Sequence, residues 1–508
     1  MTTHQYLRFG MIDIGSNSIR LVIYEKVDEA GYRIIDESKQ SARLSERITH
    51  EGILPDEHIN ELVEILTRFR LLCTAHQVTN LRAVATAAIR NAFNTEHIVD
   101  RVQALTGITI DVLSGAEEAR MGFLGVMNTM CETDGFLIDI GGGSTEVTLV
   151  KNRSILHSVS FPFGAVNMTK VFSSQGVMSE EQVHQMEQMI EISVSKEKWI
   201  SSSPGLPCIG VGGTFRTIAK LDQHVTDYSL SLTHHYELTE SNARNVYSKL
   251  FPLDPEKRKK IYGVSKDRAD LIIPGMLIAL TLIRIIKGTH FVISGNGLRD
   301  GLFFDHVMGF HEPINDVIEK NTRNLLEMHP EVSKVHVEHV NLLALRLYDE
   351  MISMHGHGER VRKLLSAASL LYRIGVGIQF HEYYKHTYYL IAYSRLGGLS
   401  HRETLIVALT AAYKSKVRVR EFFNLHRDIL SENDLTLISQ LGSILRMAIA
   451  FDRSETQPIQ NVKITRVNKE MIIKLSVLRE PVLERLEWNN VDKEFQKVWG
   501  VKLKISTE

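Results

Sequence analysis

Two stretches of the chain repeat one pattern of apolar and polar positions, residues 9–24 and residues 136–150. In each, an apolar run reaches Asp-Ile-Gly, a few small polar residues follow, and apolar positions then resume. This pattern predicts a strand, a tight turn and a second strand. A glycine-rich hairpin without chemical consequence would fit either stretch taken alone. Because the pattern occurs twice, we predict two similar domains, each built around one such hairpin.

Strands and helices alternate around these hairpins up to about residue 305. Apolar positions at helical spacing follow Asp56, and a second helix is predicted from Glu96 to Leu105. The stretch from Leu271 to Ile283 is almost wholly apolar but too short to span a bilayer, so it predicts a buried helix. Further strands are predicted to begin at Leu81, Ile108, Ile155, Cys208 and Phe291.

The pattern changes at about residue 310, where long helical periodicities replace the strands. Apolar residues recur at three- and four-residue steps from Val337 to Leu347, and another helix is predicted from Leu364 to Leu371. Short alternating stretches return from about residue 460. We therefore predict four domains: 1–125 and 126–305, both α/β, then 306–458, all-α, and 459–508, a small α+β domain.

The composition is that of an ordinary globular protein. The chain has 508 residues, of which 44% are hydrophobic and 23% charged, and this length calls for several domains. Its net charge is −1, so a polyanion must be held by a local basic surface. The three cysteines are far apart and have no metal-ligand spacing, which fits a reducing cytosol. We predict no signal peptide, a cytoplasmic location and no membrane partner.

The second hairpin carries groups suited to holding a phosphate. Gly141, Gly142 and Gly143 allow consecutive backbone N–H groups to form an anion-binding nest. Ser144 and Thr145 add hydroxyl donors. The hairpin therefore predicts a phosphate-binding turn.

Carboxylates lie beside both turns. Asp139 and Glu146 flank the second turn, and Asp13 holds the matching place in the first. Carboxylates repel a phosphate unless a cation lies between them, so this arrangement implies Mg²⁺ or a similar hard ion.

A capping box marks the helix that follows the strand at Ile108. Ser114 and Glu117 have the spacing of N-cap and N3 residues, which gives Glu117 a structural role. Glu118 is not explained in this way, and it lies where a strand ends and a helix begins, the place where α/β folds collect active sites. A solvated acid favoured by the helix dipole is an equally good interpretation from the residues alone.

Together these motifs resemble the exopolyphosphatase / guanosine pentaphosphate phosphatase (Ppx/GppA) family. The resemblance is strong over roughly residues 8–305 and looser beyond. It implies duplicated actin-like domains of the RNase H-like fold, followed by an all-α HD-like domain and the small α+β C-terminal domain. The motifs that carry it are Asp13–Arg20, Asp139–Glu146, Ser114–Arg120, Gly210–Thr214 and Gly295–Gly301.

The resemblance implies hydrolysis of the terminal phosphate of inorganic polyphosphate by direct attack of water. Glu118 would be the catalytic base, and Asp13, Asp139 and Glu146 would hold Mg²⁺ or Mn²⁺; a monovalent cation is a further candidate cofactor. The residues expected to bind phosphate are Gly15, Ser16, Asn17, Ser18, Arg20, Arg90, Gly141, Gly142, Gly143, Ser144 and Thr145. Further substrate contacts are expected from Gly212, Gly213 and Arg268. For Arg20 and Arg90, a surface salt bridge is the alternative.

The helical domain resembles HD phosphohydrolases but lacks their metal-binding His-Asp pair. Where the pair would fall, the sequence reads Leu371-Tyr-Arg-Ile-Gly375, and Tyr and Arg cannot replace those ligands. We therefore expect no metal site at His339, His381 or His386.

The same region is locally basic. From Glu359 to Arg427, twelve Lys and Arg residues stand against four Glu, a net excess of about +8. This segregation predicts a surface for a polyanion. Nucleic acid would give the same pattern, but no RNA-binding module is evident and we expect polyphosphate instead. The densest part supplies Lys414, Lys416, Arg418 and Arg420 as candidate substrate-binding residues.

Three other functions stay open. The nearest is hydrolysis of the 5′-terminal phosphate of guanosine pentaphosphate by the same site. A kinase or chaperone-like ATPase of the same fold group would use both hairpins, but it does not explain the Ser114–Arg120 run or the basic helical domain. A non-catalytic sensor fits less well, because Glu118, Asp139 and Glu146 are all present. For any of these, we expect a homodimer.

Overall fold

The computed structural model describes residues 7–27, 31–467 and 469–508. The chain forms two compact units and passes from the first to the second between residues 315 and 316. Within the described ranges, no helix combines the length and apolarity that crossing a membrane requires.

The first unit alternates strands and helices. Its strands are β1 (Leu7–Ile14), β2 (Ser18–Lys26), β3 (Tyr32–Ser41), β4 (Asn80–Ala85), β5 (Ile110–Val112), β6 (Gly135–Ile140), β7 (Thr145–Lys151), β8 (Ser154–Phe161), β9 (Cys208–Val211), β10 (Glu237–Leu238) and β11 (Phe291–Ile293). Its helices are α1 (Leu44–Arg47), α2 (Asp56–Ala75), α3 (Ala87–Arg90), α4 (Thr95–Thr106), α5 (Gly115–Met127), α6 (Ala165–Phe172), α7 (Glu180–Ser195), α8 (Gly213–Val225), α9 (Glu240–Leu250), α10 (Pro255–Arg258), α11 (Ile272–Ile286) and α12 (Leu298–His306), with 3-10 turns at Lys198–Ser201 and Lys266–Arg268.

These strands form two sheets that share one topology. Their orders are β3-β2-β1-β4-β5 and β8-β7-β6-β9-β11, with β10 added at the edge of the second. In each sheet, the first three strands pair antiparallel, and the remaining two of the shared order run parallel to the central strand. The two hairpins of the repeated pattern, β1–β2 and β6–β7, therefore hold the same place in both sheets.

The two hairpins also match in register. Asp13 lies opposite Arg20 in the first, and Asp139 lies opposite Glu146 in the second. The residue facing the aspartate is therefore a cation in one hairpin and a carboxylate in the other.

Helices α5 and α12 pack against each other with almost no space between their backbones. A Cβ on Gly125 would lie 2.1 Å from the carbonyl oxygen of Gly297, and one on Gly301 would lie 1.8 Å from that of Met121. No side chain fits at either distance, so only glycine permits this approach. The contact holds α5, which carries Glu118, beside the start of α12.

The stretch predicted to be a buried helix is α11. Thirteen of its 15 residues are buried, and it lies in the apolar core of the second sheet. Full burial of one Leu, Ile or Met side chain stabilises the folded state by about 1.5–3 kcal/mol. Helix α11 therefore anchors the 3-10 turn Lys266–Arg268 that precedes it.

The second unit is mainly helical. Its helices are α13 (Val317–Glu327), α14 (Lys334–Glu350), α15 (Ile352–His355), α16 (Glu359–Leu371), α17 (Tyr383–Tyr393), α18 (His401–Ala411), α19 (Lys416–Phe423), α20 (Glu432–Ala450) and α21 (Val482–Trp499), with 3-10 turns at Ile374–Gly377 and Asn424–His426. Its strands are β12 (Ile459–Val467), β13 (Glu470–Val477) and β14 (Lys502–Thr507), in the order β12-β13-β14.

The C-terminal sheet shares its core with the helices. Leu343 of α14, Leu445 of α20, Leu475 of β13 and Phe495 of α21 belong to one cluster of buried apolar side chains. Helix α21, which the alternating pattern did not predict, connects β13 to β14, and these two strands pair in parallel. A parallel pair needs such a crossover connection, whereas a hairpin serves only an antiparallel pair.

The expected domain boundaries can be compared with these elements. The boundary at 125/126 falls inside α5 and that at 305/306 inside α12, whereas the two units separate at 315/316. The boundary at 458/459 coincides with the start of β12 but not with a change of hydrophobic core.

Candidate active site

A cavity of about 140 Å³ opens between the two hairpin turns. The starts of helices α5, α6, α8 and α12 complete its walls. It gathers most of the site residues expected from the sequence of this unit. The expected residues in its lining are Asp13, Gly15, Ser16, Asn17, Ser18, Arg20, Glu118, Asp139, Gly141, Gly142, Gly143, Ser144, Glu146, Gly212, Gly213 and Arg268.

The two turns close in the same way. The Gly15 N–H donates to the Ser18 carbonyl at 3.2 Å, and the Gly141 N–H donates to the Ser144 carbonyl at 3.0 Å. The sequence repeat is therefore a repeat of backbone geometry at the cavity itself.

The two turns also face each other at short range. A Cβ on Gly142 would lie 3.0 Å from the Asn17 backbone nitrogen, and one on Gly143 would lie 2.6 Å from Ser16 Oγ. A side chain at either glycine would push the turns apart. Backbone donors from both sheets consequently border one small space.

Two polar groups that line this space are buried without a hydrogen-bond partner. They are the side-chain amide of Asn17 and the Nη1 atom of Arg299. Leaving such a group unbonded costs about 1–3 kcal/mol, so native structures rarely do so without a ligand or water. Both groups include N–H donors, which an anion would satisfy.

Four carboxyl groups in this cavity have raised pKa values. Burial, and then the charge of Glu146, raises the pKa of Asp139 to about 7. Burial, and then Glu146 again, raises the pKa of Glu118 well above its usual range. Burial also raises the pKa values of Asp13 and Glu146, although neighbouring groups oppose it. Such a cluster favours binding of a cation.

Four arginines line the same cavity: Arg20, Arg216, Arg268 and Arg299. Burial, and then the neighbouring guanidinium groups, lowers the pKa values of Arg216 and Arg20. Burial lowers the pKa of Arg268 as well. A polyanion relieves repulsion among these charges, and the planar guanidinium group matches phosphate oxygens.

The first turn of α5 separates a structural glutamate from a cavity glutamate. The Ser114 N–H donates to the Glu117 carboxylate at 2.8 Å, and the Glu117 N–H donates to Ser114 Oγ at 3.2 Å. The predicted capping box is therefore confirmed. Glu118 points into the cavity instead, with 14% of its side chain exposed.

Two residues expected to bind phosphate lie outside the cavity lining. Arg90 Nη1 donates to Glu118 Oε2 and to the Leu113 carbonyl, both at 2.9 Å, so in this structure Arg90 forms a largely buried ion pair with Glu118. The Thr145 hydroxyl is fully buried and donates to the Phe163 carbonyl at 2.7 Å, because β7 turns it toward the core.

The basic residues of the helical unit are not part of this cavity and differ among themselves. Arg420 Nη2 bonds both carboxylate oxygens of Glu432, at 3.0 and 2.8 Å. Lys416 and Arg418 are exposed, and Lys414 is partly buried. The four residues expected to contact a polyanion therefore lie in different surroundings: Lys416 and Arg418 are exposed, Lys414 is partly buried, and Arg420 is exposed but paired with Glu432.

The side chains where an HD metal pair would lie make other contacts. Tyr372 bonds His336 at 2.5 Å, Arg373 pairs with Glu455, and His339 Nε2 bonds the Ile459 carbonyl at 2.8 Å. These contacts make the region a packed polar network.

The expected set of three metal ligands does not form a ready-made site. Among the described residues, no three His, Cys, Asp or Glu side chains converge in a way that would hold a metal ion. Asp13, Asp139 and Glu146 line the cavity, but Asp13 belongs to the opposite sheet. The donor set nevertheless fits Mg²⁺, which in phosphate-handling sites binds one or two carboxylates together with substrate phosphate oxygens and water.

Five charged or polar residues of the cavity were missed as site residues: Thr86, Arg216, Asn296, Arg299 and Asp300. Arg299 and Asn296 lie in the Gly295–Gly301 motif, which carried the resemblance but was given no individual role. Arg216 lies two positions beyond Gly210–Thr214, at the start of α8. An arginine in the first turn of a helix that follows a glycine turn is the signal that would have found it.

The sequence of this chain matches the models of two phosphatase domains. The model of the Ppx/GppA phosphatase family matches residues 22–310, and that of Ppx/GppA phosphatase domain III matches residues 318–495. The chain belongs to the Ppx/GppA phosphatase family. Among its relatives, a guanosine-5′-triphosphate,3′-diphosphate pyrophosphatase from Pseudoalteromonas atlantica is 26% identical over 77% of this chain and 76% of its own. An exopolyphosphatase 1 from Mycobacterium bovis is 26% identical over 58% of this chain and 87% of its own.

Two solved structures each cover about three fifths of this chain. A family member from Aquifex aeolicus is 29% identical with a TM-score of 0.52, over 60% of this chain and 98% of its own. An exopolyphosphatase from Cytophaga hutchinsonii is 25% identical with a TM-score of 0.56, over 59% of this chain and 98% of its own.

Proposed function

We propose that this Ppx/GppA family member is an exopolyphosphatase, which hydrolyses the terminal phosphate of inorganic polyphosphate. The observation that carries the proposal is the small cavity between two equivalent turns, which is lined by four arginines and by unbonded donors of Asn17 and Arg299. A terminal phosphoryl group has three oxygens to be bonded, and donors border this space on both sides. The exopolyphosphatase named among the relatives supports the same substrate class.

In this proposal, the two turns bind the terminal phosphoryl group. Backbone N–H groups of residues 16–18 and 142–144 would approach it from opposite sides, and Asn17 would add its side-chain amide. Arg216, Arg268 and Arg299 would hold the oxygens of the next phosphates, because guanidinium groups can bind two oxygens at once. Positioning of this kind supplies much of the rate enhancement in phosphoryl transfer.

Glu118 would orient the attacking water and accept its proton. The water oxygen forms a bond to the terminal phosphorus as the bridging P–O bond breaks, and the shortened chain leaves with the electron pair. A small cavity of about 10 Å³ lies beside Glu118, Asp139 and Glu146. This is close to the space of about 10–15 Å³ that one water requires. Because the pKa of Glu118 is raised, its ionised carboxylate is a stronger base than that of an exposed glutamate.

A divalent cation fits the acidic side of this cavity. Asp139 and Glu146, with Asp13 through water, would hold Mg²⁺ or Mn²⁺ together with phosphate oxygens. When bound, such an ion supplies neutralisation of the negative charge that develops on the phosphate oxygens.

The alternative substrate is guanosine pentaphosphate, hydrolysed at its 5′-terminal phosphate by the same residues. A relative whose name specifies this type of nucleotide favours it. Both substrates are linear phosphoanhydrides, so the cavity serves either. The kinase or ATPase alternative gains no support from the relatives that carry a functional name.

The proposal also includes the type of each domain, the oligomeric state and the location of the protein. The shared topology of the two sheets supports their interpretation as actin-like domains. The match of residues 318–495 to domain III of the family supports a helical domain related to the HD fold. We include a homodimer and a cytoplasmic location, which rest on chain length and on cysteine spacing.

The test is release of phosphate from long-chain polyphosphate and from guanosine pentaphosphate, measured side by side with and without Mg²⁺. An exopolyphosphatase releases phosphate faster from polyphosphate and needs the metal. Preference for the nucleotide would select the alternative, and no release from either would reject the proposal.

A further inference from the structure

The helical unit contains a small cavity that the proposed hydrolysis does not use. It measures about 70 Å³ and lies between the start of α17, the end of α18 and helices α20 and α21. Its lining is unusually rich in tyrosine and in positive charge. The polar residues that line it are Tyr372, Tyr383, Tyr384, Tyr413, Lys414, Arg446 and Glu487.

Lys414 and Arg446 bring two positive charges to this cavity. The Lys414 ammonium lies over the rings of Tyr383 and Tyr384, 5.1 and 5.6 Å from their centroids. Arg446 Nη1 donates to the Lys414 carbonyl oxygen. In the part of the chain that the structure describes, neither cation forms an ion pair with a carboxylate. Glu487 is the one acid of the lining, so two positive charges face one negative charge.

The ammonium group of Lys414 is unfavourably placed without an anion. Burial, and then repulsion from Arg446, lowers the pKa of Lys414. Charges removed from water are normally paired, and tyrosine rings compensate only part of the lost hydration. An anion in this cavity would therefore be stabilised by two cations at once.

One tyrosine hydroxyl is available as a further donor. Among the described residues, the Tyr383 hydroxyl makes no hydrogen bond, although the residue is partly buried. The other three hydroxyls already have partners. These pairs are Tyr372 with His336 at 2.5 Å, Tyr413 with Glu494 at 2.9 Å and Tyr384 with Glu382 at 3.2 Å.

We propose that this cavity is a second anion site, which binds one phosphate group through Lys414, Arg446 and the Tyr383 hydroxyl. Its volume of about 70 Å³ is several times the roughly 10–15 Å³ that one water needs, which suits a tetrahedral oxyanion but leaves no room for a nucleoside. Inorganic phosphate and the terminal phosphate of a longer anion share this chemistry. The site does not depend on the substrate assigned to the first unit.

The test is equilibrium dialysis of the full-length protein against radiolabelled inorganic phosphate. Lys414→Met is expected to lose one bound phosphate per chain relative to the unmodified protein. Lys416→Met is the matched control, because Lys416 begins the next helix but is exposed and lines no part of this cavity. Tyr383→Phe is expected to weaken the same class of sites about tenfold, since it removes one hydrogen bond to a charged group.

Retention of every bound phosphate by both Lys414→Met and Arg446→Met would overturn the proposal. If Lys414→Met does not fold, as judged by circular dichroism, Tyr383→Phe and Lys414→Arg decide. Weaker phosphate binding in Tyr383→Phe, together with unchanged binding in Lys414→Arg, supports the site. Unchanged phosphate binding in both variants rejects it. If tripolyphosphate or AMP displaces the labelled phosphate, the natural ligand is the terminal phosphate of a longer anion. If neither compound displaces it, the ligand is inorganic phosphate.

Discussion

Arg90 Nη1 lies 2.9 Å from Glu118 Oε2, and the same nitrogen donates to the Leu113 carbonyl at 2.9 Å. Arg90 ends helix α3, whereas Glu118 lies in the first turn of α5, so two separate elements meet at one carboxylate. The pair fixes one oxygen of Glu118. This leaves the other oxygen for water in the cavity.

Replacement of Glu118 tests the proposed base. Glu118→Gln keeps the shape of the side chain but cannot accept the proton, so kcat is expected to fall about 10²–10⁴-fold while substrate binding stays nearly unchanged. Glu117→Gln is the matched control, because glutamine also serves at the N3 position of a capping box. Loss of binding with turnover intact in Glu118→Gln would reject Glu118 as the base.

Removal of Arg90 should move the pH dependence of activity. Burial and then the charge of Glu146 raise the pKa of Glu118, whereas the hydrogen bond and the charge of Arg90 oppose this rise. In Arg90→Met the pKa of Glu118 rises further, and the ionised form that acts as base appears only at higher pH. The acidic limb of the kcat/KM profile is expected to shift upward, with recovery of rate above it. A phosphate-binding role for Arg90 would instead raise KM at every pH.

Gly213 and Arg268 offer a test of the arginine cluster without a change of charge. A Cβ on Gly213 would lie 2.0 Å from the Arg268 guanidinium carbon, at the far end of a flexible side chain. Gly213→Ala should therefore displace Arg268 and leave the fold intact. We expect Gly213→Ala and Arg268→Ala to lower kcat/KM by similar factors, about tenfold or more, and the double variant to be no worse than either. Additive losses would show that Arg268 does not act at the position described.

Much of the cavity was predictable because it is encoded locally. An apolar run that ends in Asp-Ile-Gly specifies both a strand and the turn after it, and the repetition of this pattern at Asp13 and Asp139 indicated two matching hairpins. The capping box at Ser114 was equally local. What these motifs share is that neighbours in sequence are also neighbours in the site.

The remaining features depend on contacts between distant segments. The pairing of Arg90 with Glu118 joins α3 to α5, and nothing in either segment specifies it. Thr145 looks like a further hydroxyl donor in sequence, yet the alternation along β7 turns it into the core. Helix α21 was missed for a related reason, because only the parallel pairing of its flanking strands requires it.

The raised pKa of Asp139 predicts a pH-dependent effect on stability. Its pKa is about 7 in the folded protein against a usual value of 3.8. The favourable contribution of this carboxyl is therefore complete below about pH 4 and is lost as the pH rises through 7. At pH 8, Asp139→Asn should stabilise the metal-free protein by up to about 4 kcal/mol, since each pKa unit corresponds to about 1.4 kcal/mol.

Thermal unfolding at two pH values checks this prediction. The gain in Tm for Asp139→Asn should appear at pH 8 and vanish at pH 4, and saturating Mg²⁺ should stabilise only the unmodified protein. Asp100→Asn is the control, because Asp100 is exposed on α4. An equal effect at both pH values would mean that ionisation of Asp139 is not the cause.

The most direct test of water attack at the terminal phosphate is hydrolysis of polyphosphate in water labelled with ¹⁸O. Each released inorganic phosphate should contain one ¹⁸O atom from solvent, the shortened chain should contain none, and Glu118→Gln should reduce the yield at least a hundredfold. Label in the shortened chain, or transfer of unlabelled phosphate to another molecule, would contradict attack of water at the terminal phosphorus in this cavity.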